Sequence, residues 1–154
     1  MIGHIVTSLH GAGYRNIAAI IPNNLQLRQA IGNEVQIIEN SHPELGMGHS
    51  ISLAARHALK MNSRTLLITL GDMPFVSAEH IRSLMPKLAK HDVVISGDDK
   101  KYSPPILISK LAIPEFTRLK GDVGGKRLIQ AFNWTQSLTL PEELRDIDQP
   151  EDLP

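Results

Sequence analysis

Thr65-Leu66-Leu67-Ile68-Thr69-Leu70-Gly71-Asp72-Met73-Pro74 is an apolar run that ends at once in turn residues. Thr65 to Leu70 is too apolar on both faces for a strand half-exposed to water, so it reads as a central strand of a parallel sheet covered on both sides. Gly71 and Pro74 stop the pattern. The Asp72 carboxylate is thereby presented at the carboxyl end of the strand, where ligands collect in open α/β sheets. Position alone leaves a second role equally open, in which Asp72 caps the following turn.

Moving outward, Ser77 to Lys90 reads as a helix with Ser77 as N-cap, Glu79 in its first turn and Lys87 and Lys90 in its last. Ahead of the strand, Ser50 opens a helix on which Ile51, Ala54, Ala55, Ala58 and Leu59 share one face. Asn16 to Ile21 and Val35 to Glu39 are short β-branched strands, with Leu25 to Ile31 a helix between them. Ile2, Ile5, Val6 and Leu9 lie at helical spacing and Gly11 to Gly13 end that helix. Downstream, Asp92 to Ser96 is a strand, Gly97 to Pro105 is polar and turn-rich, and Ile106 to Ile108 is apolar. Pro114 to Leu119 gives one or two helical turns, Lys126 to Asn133 a helix, and Gln136 to Leu140 a last strand or strand edge. Short apolar strands alternating with amphipathic helices predict an α/β layered fold with a largely parallel sheet.

Length and composition agree. The chain has 154 residues, 42% of them hydrophobic and 21% charged, the size and make-up of one globular domain. Sixteen basic and sixteen acidic side chains give zero net charge, which argues against nucleic acid as a partner. No cysteine is present, which excludes disulfides, thiolate catalysis and Cys-ligated metal centres. No run reaches the ~18 apolar residues of a membrane span and no signal peptide is visible, so no membrane partner and a cytoplasmic location are expected.

Three further segments can carry chemistry. Leu45-Gly46-Met47-Gly48-His49-Ser50 leads into a helix N-terminus, where glycines let backbone N–H groups approach a ribose or base; it reads equally as a connection capped by Ser50. Gly121-Asp122-Val123-Gly124-Gly125-Lys126 is similar, but Lys120 and Arg127 break the P-loop pattern. Asp146 and Asp148 would project to the same side of an extended segment. Together with Asp72, either could form a hard oxygen site suited to Mg²⁺ and phosphoryl or nucleotidyl transfer. The acidic end, with Glu151 and Asp152, reads alternatively as a solvated tail. The seven His residues form no zinc pattern, and His49 stands out only for lying in the glycine loop.

Gly46-Met47-Gly48-His49-Ser50-Ile51, Leu70-Gly71-Asp72-Met73-Pro74, Gly121-Asp122-Val123-Gly124-Gly125-Lys126 and Asp146-Ile147-Asp148-Gln149-Pro150-Glu151-Asp152-Leu153, in this order, resemble the MobA-like NTP transferases, in particular their molybdenum cofactor cytidylyltransferase branch. The resemblance implies a Rossmann-like three-layer α/β/α fold that transfers a nucleoside monophosphate from an NTP, CTP above all, to a phosphorylated small-molecule acceptor such as molybdopterin, releasing pyrophosphate. It implies Mg²⁺ held by Asp72 and Asp148 as the catalytic carboxylates. It assigns Gly46, Met47, Gly48, Ser50 and Gly71 to the nucleotide, and Pro105, Gly121, Asp122 and Gly124 to the acceptor side. The family's opening strand and its Leu-Ala-Ala-Gly-x-Ser-x-Arg-Met-Gly loop have no counterpart, so residues 1–154 are expected to be a single, N-terminally truncated domain. A catalytically inactive module that binds a nucleotide or a protein is the alternative, and a homodimer would cover the faces of an absent central strand.

Overall fold

The computed structural model describes residues 2–98, 101–121, 124–139 and 141–145. The chain starts with α1 (Ile2–Gly11), β1 (Ala18–Ile21), α2 (Leu25–Ile31) and β2 (Gln36–Glu39). Next come α3 (Met47–Lys60), β3 (Thr65–Ile68), α4 (Ala78–Leu88), β4 (Val93–Gly97) and β5 (Tyr102–Ser109). Two short helices, α5 (Ile113–Phe116) and α6 (Gly124–Ile129), precede β6 (Trp134–Leu138). Short 3₁₀ turns at Pro43–Leu45 and Pro141–Leu144 complete the order.

Local chemistry sets most boundaries. The Asn24 side chain accepts a hydrogen bond from the Leu27 amide at the start of α2, and Ser77 does the same for the His80 amide at the start of α4. α3 begins at Met47, three residues ahead of the Ser50 start expected from the sequence, because Gly46 at φ 79° takes the N-cap position without a side-chain cap. Met47 to Ser50 therefore form the first helical turn.

The strands form two sheets. β1 and β2 pair in parallel, Ala18 opposite Gln36 through Ile21 opposite Glu39. The second sheet has the order β3-β5-β4-β6, in which β5 runs antiparallel to both neighbours and β4 pairs with β6 in parallel. This corrects two expectations. Among the described residues the Thr65–Leu70 strand is not central and parallel within its sheet; it lies at an edge and pairs only with antiparallel β5. Burial on both faces made it apolar, but face burial does not fix the direction of a neighbour. The segment up to Pro105 is not turn throughout, because Tyr102–Pro105 is the first half of β5. Register shifts between Ile95 and Ser96, from Ile95 opposite Ile106 to Ser96 opposite Ser103. Pro104 and Pro105 occupy that irregularity, where a missing N–H costs no ladder bond.

Side chains alternate across the second sheet, making helical layers on both faces. Val93, Ile95, Ile106 and Ile108 point toward Ala55 and Ala58 of α3, α5 and Ile129 of α6. Val94 and Leu107 point the other way, with Leu84 of α4. On the α4 side Ile5 and Leu9 of α1 join Met73, Val76 and Ile81. α1 also reaches the smaller sheet, where Ile2 and Val6 pack against Ile21, Ile31 and Val35. This is a mixed, Rossmann-like α/β/α arrangement. No described helix is long and apolar enough to cross a membrane.

Candidate functional site at the strand ends

Asp72 follows β3 in a turn held by its neighbours. Met73 and Val76 are fully buried beside Ile5, Leu9 and Ile81, so the backbone on either side of Pro74 is anchored in the core. Arg145 lies over the Phe75 ring at 4.8 Å and covers the same turn. The Asp72 Oδ1 atom is buried and has no hydrogen-bond partner among the described residues. A buried acceptor left unmatched costs about 1–3 kcal/mol, so this oxygen fits a hard cation or a donor brought by a ligand. The described residues contain no group of three His, Asp or Glu side chains arranged for a metal. Asp146, Asp148 and Asp122 lie outside the described residues.

The glycine loop is held from across the molecule. The Gly48 amide donates to the Gly121 carbonyl at 2.9 Å, and the Gly121 amide donates back to the Leu45 carbonyl at 3.1 Å. A Cβ on Gly48 would collide with the Gly121 carbonyl oxygen, and Gly121 adopts φ 67°, so both positions require glycine. The structure thus joins Gly46–Gly48, expected on the nucleotide side, to Gly121, expected on the acceptor side. Met47, Gly48, Ser50 and Gly71 line one cavity, shared with Tyr102, Pro104 and Gly125. Gly124 opens α6.

Pro105 stands apart from this rim. It is fully buried in β5, and its carbonyl accepts from Ser96 Oγ at 2.8 Å. Ser96 Oγ also lies 2.7 Å from His80 Nε2, linking α4, β4 and β5 through one buried chain. Burial pushes the His80 imidazole below its usual pKa, partly opposed by the Glu143 carboxylate. His49 contributes its carbonyl to Ser52 Oγ at 2.8 Å, and its ring meets the edge of His42 at 6.2 Å.

Two residues were passed over by the sequence reading. Asn40, 4% exposed, donates to Ser50 Oγ at 3.1 Å and accepts from the His42 amide at 2.9 Å, bracing the glycine loop from the end of β2. Its signal was an Asn directly after a β-branched run, the residue that forms such turns. Thr69, in the cavity wall, keeps a buried Oγ1 without a partner among the described residues; nothing in its local sequence marks it.

Comparison with known proteins bears on this arrangement. A family model described as the MobA-like NTP transferase domain matches residues 1–138. Purine catabolism protein PucB of Bacillus subtilis is 34% identical over 113 residues, which is 71% of this chain and 55% of PucB, so the chain spans about half the length of that relative. A nucleotidyl transferase from Methanothermobacter thermautotroptrophicus superposes with a TM-score of 0.79 at 17% identity, covering 98% of this chain and 76% of that one. Rv0371c of Mycobacterium tuberculosis, in complex with manganese, superposes with a TM-score of 0.70 at 17% identity, over 90% of this chain and 75% of that one.

Proposed function

The chain belongs to the MobA-like NTP transferase family, and from that premise we propose that it transfers a nucleoside monophosphate, CMP from CTP first among them, to a phosphorylated acceptor of the molybdopterin kind. The observation that supports this reading most is the joining of Gly48, which lines the cavity together with Gly71, to Gly121, with the buried, unmatched Oδ1 of Asp72 on the residue directly after Gly71. Backbone amides at the start of α3 suit the polar oxygens of a nucleotide. In the reaction a phosphate oxygen of the acceptor attacks the α-phosphorus of the NTP. The bond from that phosphorus to the β-phosphate oxygen breaks, and pyrophosphate leaves.

Asp72 and Asp148 would hold Mg²⁺. When bound, Mg²⁺ neutralises triphosphate charge and that developing at the attacked phosphorus. The chain's own residues position the partners: the Gly48–Gly121 contact fixes the distance between the nucleotide and acceptor sides, and the buried Met73 and Val76 fix Asp72. Calorimetric titration with CTP, GTP and ATP tests the reading. Binding should favour CTP, disappear when Mg²⁺ is chelated, and weaken at least about tenfold in Asp72→Asn with the fold intact. Absence of binding by all three nucleotides, or an unaffected Asp72→Asn variant, would sink it. Pyrophosphate release in the presence of acceptor then separates a transferase from a module that only binds.

A further inference from the structure

The first half of β5 carries two residues that β4 does not match. Ile106 lies opposite Ile95 and Ser103 opposite Ser96, so Pro104 and Pro105 bulge from the ladder between them. Neither has an N–H to pair, but the Pro105 carbonyl is buried and needs a donor. Ser96 supplies it through its hydroxyl at 2.8 Å. A hydroxyl has one proton and a carbonyl can only accept, so toward His80 Nε2, at 2.7 Å, Ser96 Oγ is the acceptor. That makes Nε2 the protonated ring nitrogen. Burial, which lowers the His80 pKa, keeps the ring neutral at neutral pH. The backbone behind the ring is anchored as well, because the His80 amide donates to Ser77 Oγ at the capped start of α4.

We propose that His80 and Ser96 are positioning residues for the acceptor: by holding the Pro105 carbonyl they set where Tyr102 to Pro104 stand in the cavity wall, and neither touches substrate. The proposal rests on the transfer reading above, in which the Pro105 segment serves the acceptor side. Tyr102, Ser103 and Pro104 line the cavity shared with Gly48 and Gly71, whereas His80, Ser96 and Pro105 do not. Ser96 and Pro105 lie two residues along from Val94 and Leu107, on the α4 face, so the hydrogen bonds act on the wall from behind. A bulge beside a site aims the side chains next to it, and here its aim depends on one carbonyl. Pro105, expected on the acceptor side yet buried away from the rim, thus serves through its neighbours. The effect is confined to that side. Among the described residues the glycine loop is fastened through Gly121 and Asn40, and shares no hydrogen bond with His80 or Ser96.

Pyrophosphate release with CTP and molybdopterin tests this by comparing the wild type with Ser96→Ala, His80→Leu and His80→Gln. Ser96→Ala and His80→Leu should raise the KM for molybdopterin about tenfold or more, while the KM for CTP and the kcat at saturating acceptor stay within about twofold. His80→Gln places an amide nitrogen where Nε2 was and should restore most of the acceptor KM. Packing alone predicts the reverse order, since Leu suits the buried space better than Gln. Nitrogen-edited NMR adds a readout that needs no turnover: the wild-type ring should show a slowly exchanging Nε2 proton and a bare Nδ1, and Ser96→Ala should speed that exchange about tenfold or more. An unmoved acceptor KM, equal rises in both KM values, Gln no better than Leu, or a bare Nε2 in the wild type would overturn the proposal and leave the transfer reading in place. A wild type that releases no pyrophosphate with molybdopterin would instead overturn the transfer reading, and the acceptor assignment with it.

Discussion

All five residues of β4 are buried and β5 is buried from Pro105 to Ile108, whereas β1 buries only Ile21 and β2 none of its four residues. Both sheets are rich in β-branched residues and both carry helices, so composition does not separate them. Neighbours do. β4 and β5 have a strand on each edge, while among the described residues β1 and β3 each pair with one strand and line the cavity that Gly48 and Gly71 share. β3 shows that faces are not enough: covered by α3 and by the α4 side, it is still only half-buried at all four residues. Closure of a sheet laterally completes the burial that helices begin.

The difference can be sharpened by truncation. Leu107→Ala in β5 should cost about 2–5 kcal/mol, the range for a large aliphatic side chain lost from a sealed core. Ile37→Ala in β2 removes a partly exposed side chain from the smaller cluster and should cost less than half as much in denaturant titration. Equal losses would show that an edge position in a sheet does not weaken its surroundings.

Gly48→Ala probes the seam between the regions, since the loop after β2 is fastened there to Gly121. Forcing a methyl group against a carbonyl oxygen should cost about 1–3 kcal/mol. Thermal unfolding should shift for both sheets together; a shift confined to one would mean that the contact fastens nothing.

The smallest effect belongs to pH. The folded His80 pKa is depressed by burial, so between its ordinary value near 6.5 and the lower folded value the unfolded chain binds more protons than the native one. Its contribution to stability is therefore whole above about pH 6.5 and is lost as pH falls through the folded pKa. Amide protection, measured against the intrinsic exchange rate at each pH, should fall on acidification in β4 and β5, which His80 reaches through Ser96, before it does in β1 and β2. His80→Asn should remove that ordering.

Periodicity and caps carried much of the fold. Ser77 caps α4 and Gly11 ends α1 as expected, whereas the Asn24 cap of α2 came only with the structure. The start of α3 was obscured because a glycine with an unusual φ replaced a capping side chain. The first half of β5 was hidden behind two prolines, which are legible as strand only once the register shift opposite them is known. Asp72 stands out as a candidate because an abrupt strand end concentrates signal in a few adjacent residues. The fastening of Gly48 to Gly121 does not, because its partners are far apart in sequence and its hydrogen bonds are made by backbone, which every residue carries.

Trp134, the single tryptophan, stands edge-on to Tyr102 at 5.3 Å, joining the start of β6 to the start of β5. Its ultraviolet emission is thus an intrinsic optical gauge attached to one sheet and blind to the other. Melting followed at that wavelength dates the collapse of the sturdier half alone, and only a signal summed over the whole backbone, such as circular dichroism, registers an earlier loss of β1 and β2.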